Sequence, residues 1–205
     1  SLKQAQGYEL APPLREARPD PDTSCRSLDL EQSIARAPDD LHAYGVYADW
    51  LQARGDARGE LIAVQLARHE DPRSEVLATV EADLIGRLSR DVLGVIGAPL
   101  EPDGLTWRHG FVAEAKLTTP WPRAELRAPL GELTRRLLSH PCGALLRKLT
   151  LASSRPLTEP SSIAHALEIL ARQAPPTLVA LHLSEDRAPL GDVSDSFACL
   201  PRLRE

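Results

Sequence analysis

The sequence predicts an α/β chain: an N-terminal helical capping module, then a short solenoid of strand–helix units sharing a parallel sheet. Three observations carry this. Residues 46–65 read as a helix, a break at Gly55, and a second helix opened by Asp56. From Phe111 onward, alternating apolar stretches take turns with stripes at helical spacing. Paired leucines then recur at a long period, with Leu149 and Leu151 aligning on Leu181 and Leu183, 32 residues later. The chain divides accordingly into a proline-rich linker or arm over 1–26, a helical module over 27–102, and repeated units over 103–205.

Composition narrows the class of function. A chain of 205 residues can bury one sizeable core or two small ones. Hydrophobic content of 42% and charged content of 26% are those of an ordinary water-soluble domain. The formal net charge of −5 argues against nucleic acid as the main partner. No apolar run approaches the roughly 20 residues that cross a bilayer, and no secretory signal opens the chain. Cys25, Cys142 and Cys199 are odd in number and far apart, so a reducing cytoplasm is expected rather than a disulfide framework. The chain has no methionine and ends at Glu205 within what reads as another repeat, which predicts a piece of a longer protein.

The elements can be placed in chain order. Pro12, Pro13, Pro19 and Pro21 each remove a backbone donor and restrict the preceding residue, so 1–26 makes no regular structure. Asp29 with Gln32 predicts a capping box for a first helix carrying Leu30, Ile34 and Ala37, and Pro38 ends it. Asp39 or Asp40 caps the second helix, where Leu41, Tyr44, Ala48 and Leu51 recur on one face. Tyr47 and Trp50 fall one turn apart there, and in a chain only 4% aromatic they mark the main packing knot. Gly55 stops this helix because it tolerates positive φ. Asp56 caps the third helix, with Glu60 in its first turn facing the positive end of the helix dipole. A fourth helix is expected over 74–92, with Val76, Val80, Leu84, Ile85 and Leu88 on one face, and a Gly/Pro-rich connector over 93–102.

The second block opens at Trp107, Gly110 and Phe111, and a strand is expected over 111–117. A helix on Leu130, Leu133, Leu137 and Leu138 leads to a leucine-rich strand over 145–151. A further helix on Ile163, Ala166, Leu167 and Leu170 leads to a strand within 178–183. Ala115 and Leu117 lie 34 residues before Leu149 and Leu151, and Leu203 lies 25 after Leu178. Strand plus helix at such a period is the signature of a leucine-rich repeat, although these units exceed the usual span of about 20–29 residues.

A family resemblance sharpens the front half. Asp39-Asp40, Tyr47-Ala48-Asp49-Trp50-Leu51 and Gly55-Asp56-x-Arg58-Gly59-Glu60-Leu61-Ile62-x-x-Gln65 together resemble the repeat-companion domain. That short helical module stands at the head of leucine-rich-repeat proteins in planctomycetes and myxobacteria, and the likeness covers residues 30–67. The Trp107-x-x-Gly110-Phe111 pattern is similar to the segment that comes after the module in such proteins. The resemblance implies architecture rather than chemistry: a cap closing the open end of a repeat stack. The family's repeat asparagine is missing, since Ser154 comes after Leu151-Ala152-Ser153, and a serine bonds the backbone more weakly.

Candidate chemistry is sparse. Asp49 and Glu60 could pair for acid–base work, but no histidine, cysteine or serine nucleophile is grouped with them, so solvent and helix-dipole roles are expected. His140-Pro141-Cys142 is the one close pair of metal-type ligands, and its spacing does not suit a structural zinc site. No phosphate loop or hydrolase motif occurs. The expectation is therefore a non-enzymatic scaffold with no catalytic residue, metal or cofactor, which binds another protein and neither nucleic acid nor membrane. Stacked repeats expose alternate strand residues on one concave face. Here that face comprises Glu114, Lys116 and Thr118, then Lys148, Thr150 and Ala152, then Ala180, His182 and Ser184. It is polar and mixed in charge. The alternative is a regulatory, inhibitory or proteolytically processed region of a larger enzyme or signalling system. A GTPase-regulating version of it would use Arg54 or Arg58 as an arginine finger.

Overall fold

The computed structural model describes residues 26–96, 104–119, 129–153 and 162–185. The proline-rich arm and the units expected beyond residue 185 lie outside these residues. The described chain is a mixed α/β structure in which four helices precede a four-stranded sheet backed by two more helices.

The front helices are α1 (Leu28–Arg36), α2 (Leu41–Gln52), α3 (Ala57–Glu70) and α4 (Glu75–Ile96). Helix α1 starts one residue before Asp29, and its N-cap is Ser27 with no side-chain capping bond. The capping box is thus corrected: Asp29 lies inside the first turn, where it faces the helix dipole. Asp40 caps α2 by accepting from the His42 amide at 3.0 Å, and Asp56 caps α3 by accepting from the Arg58 amide at 2.9 Å. Between them Gly55 adopts φ +69°, the left-handed turn expected of it. Helix α4 runs on through Ile96, so the connector expected from Leu93 begins later than its glycines and proline suggested. Burial of Val92, Val95 and Ile96 explains the extension. At the other end of α4, Val76 is 74% exposed, so the apolar stripe expected there is buried only from Leu84 onward.

The strands are β1 (Leu105–Arg108), β2 (Phe111–Thr119), β3 (Lys148–Ser153) and β4 (Ala180–Glu185), in the order β1-β2-β3-β4. Helix α5 (Leu130–Ser139) links β2 to β3 and α6 (Ser162–Gln173) links β3 to β4. Both β2–β3 and β3–β4 pair in parallel, and the register puts Ala115 beside Leu149 beside Leu181, the positions aligned by the sequence period. The sheet is not wholly parallel, however. Strand β1 runs antiparallel to β2 through a tight turn at His109 (φ +46°) and Gly110 (φ +75°). Two successive left-handed residues make a hairpin whose twist matches its strands. Its register shifts between Thr106 and Trp107.

Two cores result. Beneath the sheet, Ala115, Leu117, Leu149 and Leu151 meet Leu133, Leu137, Ile163 and Leu167, joined by Val92 and Ile96 of α4. Fully burying a leucine contributes about 1.5–3 kcal/mol, so this layer holds both crossover helices on one side of the sheet. The second core gathers Ile34, Tyr44, Tyr47, Ala48, Leu51 and Ile62 around Phe111, Ala144 and Leu145. The register shift lets Phe111 serve this second core while its neighbour Val112 serves the first.

Candidate functional site: the open face of the sheet

Because β2, β3 and β4 are in register, their outward side chains form three rows. Glu114, Lys148 and Ala180 make the first, and Lys116, Thr150 and His182 the second. Thr118 and Ala152 lie in the third beside Ser184, whose backbone alone is described. Strand alternation sends the intervening leucines to the core and these residues to the surface. Glu114, Lys116 and His182 are exposed, while Thr118, Lys148, Thr150, Ala152 and Ala180 are half-buried by their neighbours. The sheet therefore unites residues spread over some 70 positions of sequence, from Glu114 to Ser184. Lys148 Nζ lies 3.2 Å from Glu114 Oε2, an ion pair across adjacent strands.

A second cluster borders the first row. Asp39 Oδ1 accepts from Arg108 Nη2 at 3.0 Å and from Arg147 Nη1 at 3.3 Å. The Arg108 bond, followed by that from Arg147, holds the Asp39 carboxyl below its ordinary range. Sequence reasoning missed this cluster. A signal was present in the Asp39–Asp40 pair, of which only one can cap α2, leaving the other free for a distant partner.

Several residues of the front helices and the β1–β2 turn take packing or hydrogen-bonded positions. Tyr47 is fully buried, donates its hydroxyl to Glu31 Oε1 at 2.9 Å, and packs 5.5 Å from the Phe111 ring. Burial beside the Glu31 carboxylate pushes its phenol upward. Trp50 is only half-buried, which corrects its place as joint centre of the packing knot. The Arg54 guanidinium covers the Trp50 ring at 3.7 Å and donates to the Trp50 backbone oxygen at 2.9 Å. Gly59 has no room for a side chain, since a Cβ would sit 2.7 Å from the Ala48 oxygen and 2.8 Å from the Gln52 nitrogen. It sets the close crossing of α2 and α3. Gln65 Oε1 accepts from the Gly110 amide at 2.9 Å and so fixes α3 to the β1–β2 turn. Trp107 turns to the other side and donates from Nε1 to Ser89 Oγ at 2.9 Å.

Of the chemical candidates, Asp49 is exposed on α2, and Glu60, also exposed, lies 3.9 Å from Arg87. Arg58 is 2% exposed, bonded to Asp56 at 2.7 Å and lying 5.6 Å from the Phe111 ring centre. An arginine finger must reach out to a nucleotide, and this guanidinium is built into the core. His140 Nδ1 accepts from the Cys142 amide at 3.1 Å, closing a single 3-10 turn (Pro141–Gly143). Burial pushes the Cys142 thiol up to about 12, so it is an inert packing group at neutral pH. Among the described residues no three His, Cys, Asp or Glu side chains converge as metal ligands, and no helix is long and apolar enough to cross a membrane.

The described residues thus define a mixed α/β structure whose sheet has one face covered by helices, and on the other, among those residues, rows of polar side chains left open. No protein-family model, curated protein or solved structure matches the chain.

Proposed function

We propose that this chain is a non-enzymatic recognition module of a larger bacterial protein, and that it binds another protein on the open face of its sheet. One observation carries the reading: three strands present ordered rows of small and ionic side chains on the face opposite their crossover helices. Small-molecule sites are largely apolar pockets, whereas rows of polar side chains across three strands suit a protein surface. In the finer form of this reading, the front helices are a repeat-companion cap. The strand–helix units are then leucine-rich-repeat-like, their open face is the concave side of a short solenoid, and the protein works in the cytoplasm. The Tyr47–Trp50 and Gly55–Glu60 blocks support it, as does the register of Leu149 with Leu181.

The test compares capture from a host lysate by the wild type, Lys148→Glu, His182→Ala, and Arg172→Glu on α6 as a control. Lys148→Glu places like charges across two strands and costs about 1 kcal/mol or less, so folding persists. The expected result is a partner kept by Arg172→Glu and lost or weakened by both face variants. A partner lost with Arg172→Glu and kept by both face variants would show that the helical side binds, and would refute the assignment.

A further inference from the structure

We infer that the occupant of this face is an acidic protein segment, whose leading carboxylate enters between Arg108 and Arg147 and whose later carboxylates meet Lys148 and Lys116. The inference rests on the proposed function and adds the chemistry of the partner. The whole chain carries a formal charge of −5, yet among the described residues the face and its border set Arg108, Arg147, Lys148 and Lys116 against Asp39 and Glu114. Both acids are already engaged inside the molecule. Glu114 meets Lys148, and Asp39 offers a single oxygen to two guanidinium groups. Among the described residues no carboxylate pairs with Lys116. A face that is mixed in charge residue by residue is, once its ions are paired, a lane with cations left over.

The arginine pair has the geometry of an acid clasp. Guanidinium groups bind both oxygens of a carboxylate, and here two of them converge on one atom of a side chain that is 76% exposed. Asp39 acts as an internal stand-in that an incoming carboxylate can displace into water. Lys148 comes directly after Arg147, and the row holding Lys116 lies two residues further along the strands. Two residues of strand span roughly 7 Å, which is also the repeat of alternate side chains in an extended peptide. The favoured segment is therefore extended, with acids at alternate positions. A polynucleotide fits less well, because the net negative charge of the chain repels it and the described face holds no aromatic ring for base stacking.

Fluorescence anisotropy of the full chain, with a labelled peptide of alternating Glu and Ala, tests this against its Gln counterpart and an oligothymidylate. The Glu peptide should bind best, and added salt should weaken it. Lys116→Gln and Arg147→Gln should each weaken it roughly two- to fivefold, the range of an exposed ion pair. Asp39→Asn removes the internal competitor and should strengthen binding, by roughly twofold or more. Equal binding of the Gln peptide, tighter binding of the oligothymidylate, or an Asp39→Asn variant that binds no better would each overturn the inference. Two results separate it from the reading it rests on. Should the Glu peptide fail while the captured partner still depends on Lys148 and His182, the face stands and the acidic occupant falls. Should the Glu peptide bind undisturbed by Thr150→Trp, the face itself is wrong.

Discussion

Replacing Phe111 by alanine should unsettle both halves of the molecule at once. Phe111 is 1% exposed, lies in β2, and yet packs among α2 and α3 through Tyr47 at 5.5 Å and Arg58 at 5.6 Å. Truncating a buried phenylalanine costs about 3–5 kcal/mol. Arg58 also loses the ring beneath its guanidinium, which keeps the expected value toward the upper end. With about 2–4 °C of midpoint per kcal/mol for a chain of this size, 4 kcal/mol lowers the melting temperature by about 8–16 °C. Thermal denaturation followed by circular dichroism measures the shift, and hydrogen exchange with mass spectrometry locates it. Protection should fall together in α2, α3 and β2, because Phe111 stands in β2 and its ring belongs to the core shared with those helices. If only the helices lose protection while β2 keeps its own, the two cores melt separately and the argument fails.

The same joint gives two further expected outcomes. Gly110→Ala should destabilise more than Gly55→Ala. Both glycines have positive φ, which costs a side chain about 1–2 kcal/mol, but a Cβ at Gly110 also runs into Ile62 and lies 2.9 Å from the Arg58 oxygen, whereas nothing lies within 4 Å at Gly55. Equal shifts of the denaturant midpoint would show that α3 does not press on the turn. The second concerns His109, whose imidazole is pushed by burial from 6.5 to about 4. The folded state then binds fewer protons than the unfolded one, so stability present above pH 6.5 is lost as pH falls toward about 4. His109→Asn, which suits a left-handed turn position, should flatten that limb of a stability-against-pH curve, and an unchanged limb would assign it to other groups.

The sequence told local chemistry from long-range geometry unevenly, and particular residues show why. Asp40, Gly55 and Asp56 act on amides two or three residues away or on their own φ, so residue type alone places them. The register of β2, β3 and β4 was legible because apolar residues alternate along each strand, and those turned to the core in one strand meet those of the next. Strand β1 had no repeat to betray it. It is four residues long, and its pairing depends on a turn in which a histidine, not the usual asparagine, aspartate or glycine, takes the first left-handed position. Tyr47 and Trp50 share a helix stripe, and which of them lies deeper was decided by Phe111, some 60 residues away. The Asp39 cluster is the extreme case: Asp39 meets Arg108 across 69 positions and Arg147 across 108.

That cluster also explains how the fold and the open face depend on each other. The front helices bury Phe111 at the start of β2, and in doing so they bring Asp39 to the border of the first row of exposed side chains. Nothing in the helices themselves requires Asp39 to meet an arginine, since Asp40 already caps α2. An exposed ion pair contributes little to stability, so Asp39 with its two arginines is poorly explained as a fastening. It is better explained as a stand-in: Arg108 from β1 and Arg147 from the segment before β3 share one carboxylate that an incoming acid must displace, at the point where a segment lying along the strands would begin. Removing the front module would leave the strands their rows of side chains but take away the acid that occupies the two arginines. On the proposed reading, the front helices would then set how readily the two arginines accept an outside acid.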